Sequence, residues 1–174
     1  MSVIFSHRVL AVEIRAGRLG YTVFETPNKL RDFGAAWFES NVTARSRIAR
    51  LLRLNRPAVL VLRGFSKRYT QKSRQRRAVI RIASQEARKL TIPVTRIDEE
   101  TLRSHFERHS CRDKYDMARR LTLQFPEIAW RLPVRPKFYE PEPRSMLYFD
   151  SIALATTYVE FIIENGGILS PASK

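Results

Sequence analysis

A chain of 174 residues with 44% hydrophobic content can fill one well-buried core but not two, so a single domain over residues 1–174 is expected. Its 32 Lys and Arg against 17 Asp and Glu give a formal charge of +15 and a pI of about 10.8, which favours a polyanionic partner, nucleic acid first, over a ribosomal or anionic-membrane role. No apolar run nears the roughly 20 residues of a bilayer span, and the lone Cys111 excludes an internal disulfide or a thiolate zinc centre, so a cytoplasmic or nucleoid protein without membrane attachment is expected.

Arg8 to Ile14 and Gly20 to Glu25 are β-branched and aliphatic runs joined by the basic, Gly-containing connection Arg15 to Leu19, which reads as a hairpin. Gly34 to Phe38 suggests a third neighbouring strand. The period then changes. After Thr43, a candidate N-cap, Ala44, Ile48, Leu51 and Leu52 recur at helical spacing, with Arg45, Arg47, Arg50 and Arg53 on the wet face. Ala58 to Leu62 (AVLVL) has the continuous apolar character of a parallel strand buried on both faces. Gln71 to Leu90 is helical with Val79, Ile82, Ala83 and Ala87 inward, and Ile92 to Ile97 reads as another strand. Asp98 can cap a short helix to about Arg108, and Asp113 to Gln124 is helical in composition. Five prolines between Pro126 and Pro143 forbid a long element there. The last element, about Ser145 to Asn165, is a long apolar helix for which Gly166 or Gly167 could supply the C-cap.

The expected architecture is α/β: a mixed sheet of about five strands, antiparallel at first and then parallel, flanked by helices. Three local strings add a resemblance. VLAVEIRAGRLGYTVFE (residues 9–25), SCRDKYDMARRL (110–121) and FDSIALATTYV (149–159) resemble the opening strand and turn, the basic helix start and the closing helix of the RuvC-type Holliday junction resolvases, ribonuclease H-like proteins. The resemblance implies that Glu13 takes the place of the acid ending the first strand, Asp150 that of the acid opening the final helix, and Lys114 that of a lysine near the scissile phosphate. It further implies Mg²⁺ or Mn²⁺, structured DNA as substrate, and a homodimer.

Phosphodiester hydrolysis with two divalent ions about 4 Å apart requires several converging carboxylates on rigid elements. Glu13 shares a strand face with Val9 and Ala11, and Asp150 lies in an apolar helical stretch; each alone could be an ordinary surface acid, but together they suggest a shared site. The family pattern is incomplete here. VLRGF puts Arg63 where a Glu is usual at the end of the first crossover strand, and Leu147 stands three residues before Asp150 where another acid is usual. Glu142, or one of Asp98, Glu99 and Glu100, could substitute, although Asp98 also suits an N-cap and the two glutamates suit a first helical turn.

Two functions follow. One is a divergent metal-dependent, structure-selective endonuclease with Glu13, Asp150 and Glu142 or Glu99 around the metal. The other is a catalytically silent nucleic-acid-binding or assembly module in which Arg63 contacts phosphate. The segment RGFSKRYTQKSRQRR serves either, since Arg63, Lys67, Arg68, Lys72, Arg74, Arg76 and Arg77 with Phe65 and Tyr69 interleaved can engage phosphates and stack on bases; a solvated face is the plainer alternative. His105 and His109 share a helix face, but without an HExxH register or a second Cys they suggest a structural or surface role. Trp37 and Trp130 read as core or loop anchors. No Walker loop or GxGxxG fingerprint occurs, so a nucleotide cofactor has no support.

Overall fold

The computed structural model describes residues 7–25, 28–65 and 71–164, the side chains of Gln71, Lys72 and Ile162 excepted. Its elements run β1 (Arg8–Arg15), β2 (Arg18–Glu25), β3 (Lys29–Trp37), α1 (Asn41–Asn55), β4 (Val59–Arg63), α2 (Gln71–Lys89), β5 (Val94–Ile97), α3 (Glu99–Glu107), α4 (Lys114–Gln124), a 3-10 segment (Pro126–Arg131) and α5 (Met146–Glu164). One five-stranded sheet has the order β3-β2-β1-β4-β5; β1 and β2, and β2 and β3, are antiparallel, whereas β1 and β4, and β4 and β5, are parallel. This is the mixed sheet expected from the strand, helix, strand alternation.

Strand alternation packs the one sheet on both of its faces. Leu10, Val12 and Ile14 of β1 and Leu60 and Leu62 of β4 pack on Ile48, Leu52, Val79 and Ala83 of α1 and α2. Val9, Ala11, Val59 and Val61 point the other way, onto Phe149, Ile152 and Ala153 of α5 and residues of α3 and α4. Helix α5 is buried from Met146 to Val159 apart from half-buried Tyr148, which explains its nearly continuous apolar sequence: sheet lies on one side of it and helices on the other.

Two glycines set the hairpin. Gly17 has φ +68, which closes the β1–β2 turn without the steric cost of a side chain. Gly20 pairs with Glu13 across the ladder, and a Cβ there would stand 2.6 Å from the Leu147 carbonyl oxygen. Its bare backbone lets the start of α5 lie directly on the hairpin, beside the strand position that carries Glu13.

Several boundaries differ from the sequence expectation. β3 begins at Lys29, not near Gly34; its first half, KLRD, is a charged edge strand whose polar composition resembles a turn. The α1 N-cap is Ser40, whose side chain accepts the Thr43 backbone N–H, so Thr43 lies inside the helix. β5 starts at Val94. Asp98 and Asp113 cap α3 and α4 by accepting the Thr101 and Asp116 backbone N–H groups. The proposed C-cap glycines of α5 lie outside the described residues. Among the described residues no helix is long and apolar enough to cross a membrane.

Candidate functional site

Period-2 geometry places Glu13 and Arg15 on the β1 face that looks toward α5, and the parallel register with β4 carries Arg63 alongside Glu13. Asp150 reaches the same place from the second turn of α5. Glu13 is 3% exposed and Asp150 fully buried. Arg63 Nε donates to Glu13 Oε2 at 2.9 Å, and Arg76 Nη2 of α2 lies 3.5 Å from Glu13 Oε1. Arg15 Nη2 donates to Asp150 Oδ2 and, at 2.6 Å, to Glu142 Oε1. Lys114 Nζ, in the first turn of α4, stands 3.2 Å from Glu142 Oε2 and 3.6 Å from Asp150 Oδ2. Three acids thus meet four cations in one network drawn from β1, β4, α2, α4, α5 and the segment before α5. A cleft of about 170 Å³ opens beside it, lined in part by Arg63, Glu99, Arg103, Arg112, Lys114 and Asp150.

The network shifts its members in opposite senses. Burial raises the Glu13 carboxyl above its ordinary value; Arg63 opposes this, the nearby charge of Asp150 adds to it, and Arg76 and Arg15 oppose it again. Burial works against the charge on Arg15, but Asp150 and the hydrogen bond to Glu142 outweigh it and raise its pKa. For Glu142 burial pulls upward, yet the Arg15 hydrogen bond and the charge of Lys114 prevail and lower the carboxyl below 4.5. A lowered folded pKa makes the stabilisation from Glu142 present above its unfolded value and lost as pH falls through the folded one. Wild type should therefore exceed Glu142→Gln in Tm at about pH 6, and the gap should close on acidification from about pH 4.5 downward; a gap that is constant with pH contradicts the ion pairs.

These residues do not fit a pair of hard divalent ions. Such ions need several carboxylate oxygens free to coordinate. Glu13 instead faces Arg63 and Arg76, while Glu142 and Asp150 share Arg15 and Lys114. Asp150 Oδ1 is buried without a hydrogen bond among the described residues, but one oxygen does not make a two-metal centre. Among the described residues four cations face three acids, a formal +1 (4 − 3), so the charge a metal would neutralise is already met.

The structure brings Glu13, Asp150, Glu142, Lys114 and Arg63 together. Glu99 lies exposed on the rim of the same cleft, in the first turn of α3. Leu147 is buried against Gly20, on the hairpin side. Within the basic segment, Lys67, Arg68 and Tyr69 lie outside the described residues, as does the side chain of Lys72. Arg74 is exposed, and Arg77 packs over the Phe65 ring at 5.3 Å, with Arg96 over the same ring at 4.8 Å. Arg63 and Arg76, both assigned to phosphate from the sequence, are turned inward onto Glu13. Trp37 and Trp130 are not core anchors: they are 57% and 69% exposed, with Arg18 and Arg144 over the first ring and Arg131 over the second.

Arg15 is the residue that sequence reasoning missed. Assigning it to the hairpin turn hid a signal that was present, since i+2 from Glu13 on a strand is the same face. For Arg76 no such local signal exists, because its direction depends on how α2 docks.

No protein-family model matches the chain, and no curated protein matches it in sequence. Solved structures do resemble it. A Thermus thermophilus RuvC structure superposes with TM-score 0.66 at 16% identity, covering 92% of this chain and 97% of that one. A yeast mitochondrial Holliday junction resolvase gives 0.63 at 9% identity, with 91% and 82% covered. A fowlpox virus resolvase solved with its Holliday junction DNA gives 0.58 at 16% identity, with 88% and 99% covered. With its mixed five-stranded sheet and flanking helices, the chain has the ribonuclease H-like fold of the RuvC-type resolvases.

Proposed function

We propose that this chain is a ribonuclease H-like module that binds branched or otherwise structured DNA without cutting it. One observation carries the reading: Glu13, Glu142 and Asp150 are each paired with an arginine or lysine of the chain, which leaves them poorly suited to hold metal. The metal-dependent endonuclease, the other expectation from the sequence, would need incoming ions to displace Arg15 and Arg63 from Asp150 and Glu13, leaving guanidinium groups whose side chains are only 22% and 11% exposed without these partners, which is costly. The excess charge of +15 and the cations on the cleft rim, Arg103, Arg112 and Lys114, support a phosphate-facing surface. The fowlpox virus neighbour, solved with its Holliday junction DNA, makes a four-way junction the first ligand to try.

A labelled four-way junction incubated with the protein and Mg²⁺ or Mn²⁺ tests this, with Asp150→Asn alongside. Binding by both proteins with the junction intact is the expected result. Metal-dependent cleavage that disappears in Asp150→Asn overturns the proposal, and so does failure of the wild type to bind.

A further inference from the structure

A second cluster lies away from the acid network. His105, in the last turn of α3, and His109, in the turn that follows, are four residues apart and so project from one side of the chain. Glu160 of α5 meets both. Its Oε2 is 3.1 Å from His105 Nε2 and 3.5 Å from His109 Nε2, and one ligand atom from each of the three residues falls within 4.8 Å of the others.

An ordinary His–Glu hydrogen bond does not account for this arrangement. His105 is 3% exposed, and its Nε2, despite the short separation from Glu160, makes no hydrogen bond among the described residues. Atoms that converge on a point without aiming at one another are what a shared ion requires. In a tetrahedral site with bonds of about 2.0–2.1 Å, neighbouring ligand atoms stand about 3.3–3.4 Å apart. The 3.1 and 3.5 Å separations bracket that edge. The backbone is committed as well. Ser110 adopts φ +64, and the Cys111 N–H returns to the Phe106 carbonyl, which fixes the turn bearing His109.

We infer that His105, His109 and Glu160 form a binding site for a divalent transition-metal ion of the zinc class, tying the end of α3 to α5. Two imidazoles and a carboxylate favour zinc-like ions over Mg²⁺, which prefers oxygen ligands alone. Cys111 Sγ is directed to the His109 carbonyl at 3.9 Å, so the fourth position falls to water or to an incoming group. This site is independent of the acid network: its ligands are different residues, and its failure would leave the proposed function untouched.

The full chain, stripped with a chelator, is titrated with Zn²⁺ by calorimetry and examined with Co²⁺ by visible absorption. One equivalent of Zn²⁺ should bind, Co²⁺ should give the ligand-field bands of a low-coordinate site, and saturating Zn²⁺ should raise Tm by about 5–10 °C while Mg²⁺ does not. His109→Ala and Glu160→Gln should each weaken Zn²⁺ binding by about a hundredfold with the fold retained by circular dichroism. The inference is overturned by the absence of saturable Zn²⁺ binding to the wild type, or by binding that survives both substitutions unchanged.

Discussion

Arg63→Ala should destabilise the protein by about 3–5 kcal/mol, the range for removing one partner of a buried ion pair. The Arg63 side chain is 11% exposed and that of Glu13 is 4% exposed, so little water is available to replace the lost guanidinium. What remains near Glu13 is Arg76 at 3.5 Å and the charge of Arg15, while the charge of Asp150 repels it. At about 2–4 °C per kcal/mol for a chain of this size, Tm should fall by about 6–20 °C. Removing both charges should cost much less, since a buried pair replaced by apolar groups of similar volume is often neutral or even stabilising. The double variant Glu13→Leu with Arg63→Leu should therefore recover most of the loss, measured as a coupling energy in a denaturation cycle. A single-variant loss below about 1 kcal/mol would show that the pair behaves as an exposed one.

The second large effect concerns the ligand. Affinity for a four-way junction should fall by about a thousandfold or more between about 50 and about 200 mM salt, the loss expected for six or more neutralised phosphates. The proposed phosphate-facing surface assigns different parts to different cations. Arg74, exposed on α2, and Arg112, exposed on the cleft rim, should each reduce the log–log slope by about 0.9 when changed to alanine. Arg76, committed to Glu13, should instead lower stability and leave the slope near its wild-type value. A salt response that is flat, or that Arg76→Ala changes more than Arg74→Ala does, contradicts this division of labour.

Features with local causes were legible in the sequence. Asp98 and Asp113 announce helix starts because the cap and the N–H it satisfies lie three residues apart. The apolar run ending in Leu62 is a parallel strand because both of its faces are covered. The period of β1 places Glu13 with Val9 and Ala11, toward α5, and the family resemblance set Asp150 in the same neighbourhood. What could not be read depends on docking. Whether Arg76 turns to Glu13 or to solvent is fixed by how α2 rolls on the sheet, and Glu160 meets His105 only because α3 crosses α5. The charged start of β3 was lost for another reason: an edge strand facing water carries the same composition as a loop.

The proposal that arginine and lysine, not metal, balance the buried acids is tested most directly by a Mg²⁺ titration. Mg²⁺ is added to millimolar levels while Tm is followed for wild type and for Asp150→Asn; Mg²⁺ is chosen because the histidine cluster should not take it. The two proteins should each keep a Tm independent of Mg²⁺. A saturable rise in the wild type that Asp150→Asn abolishes would mean that the carboxylates give up their cations to a metal, and the account would fail.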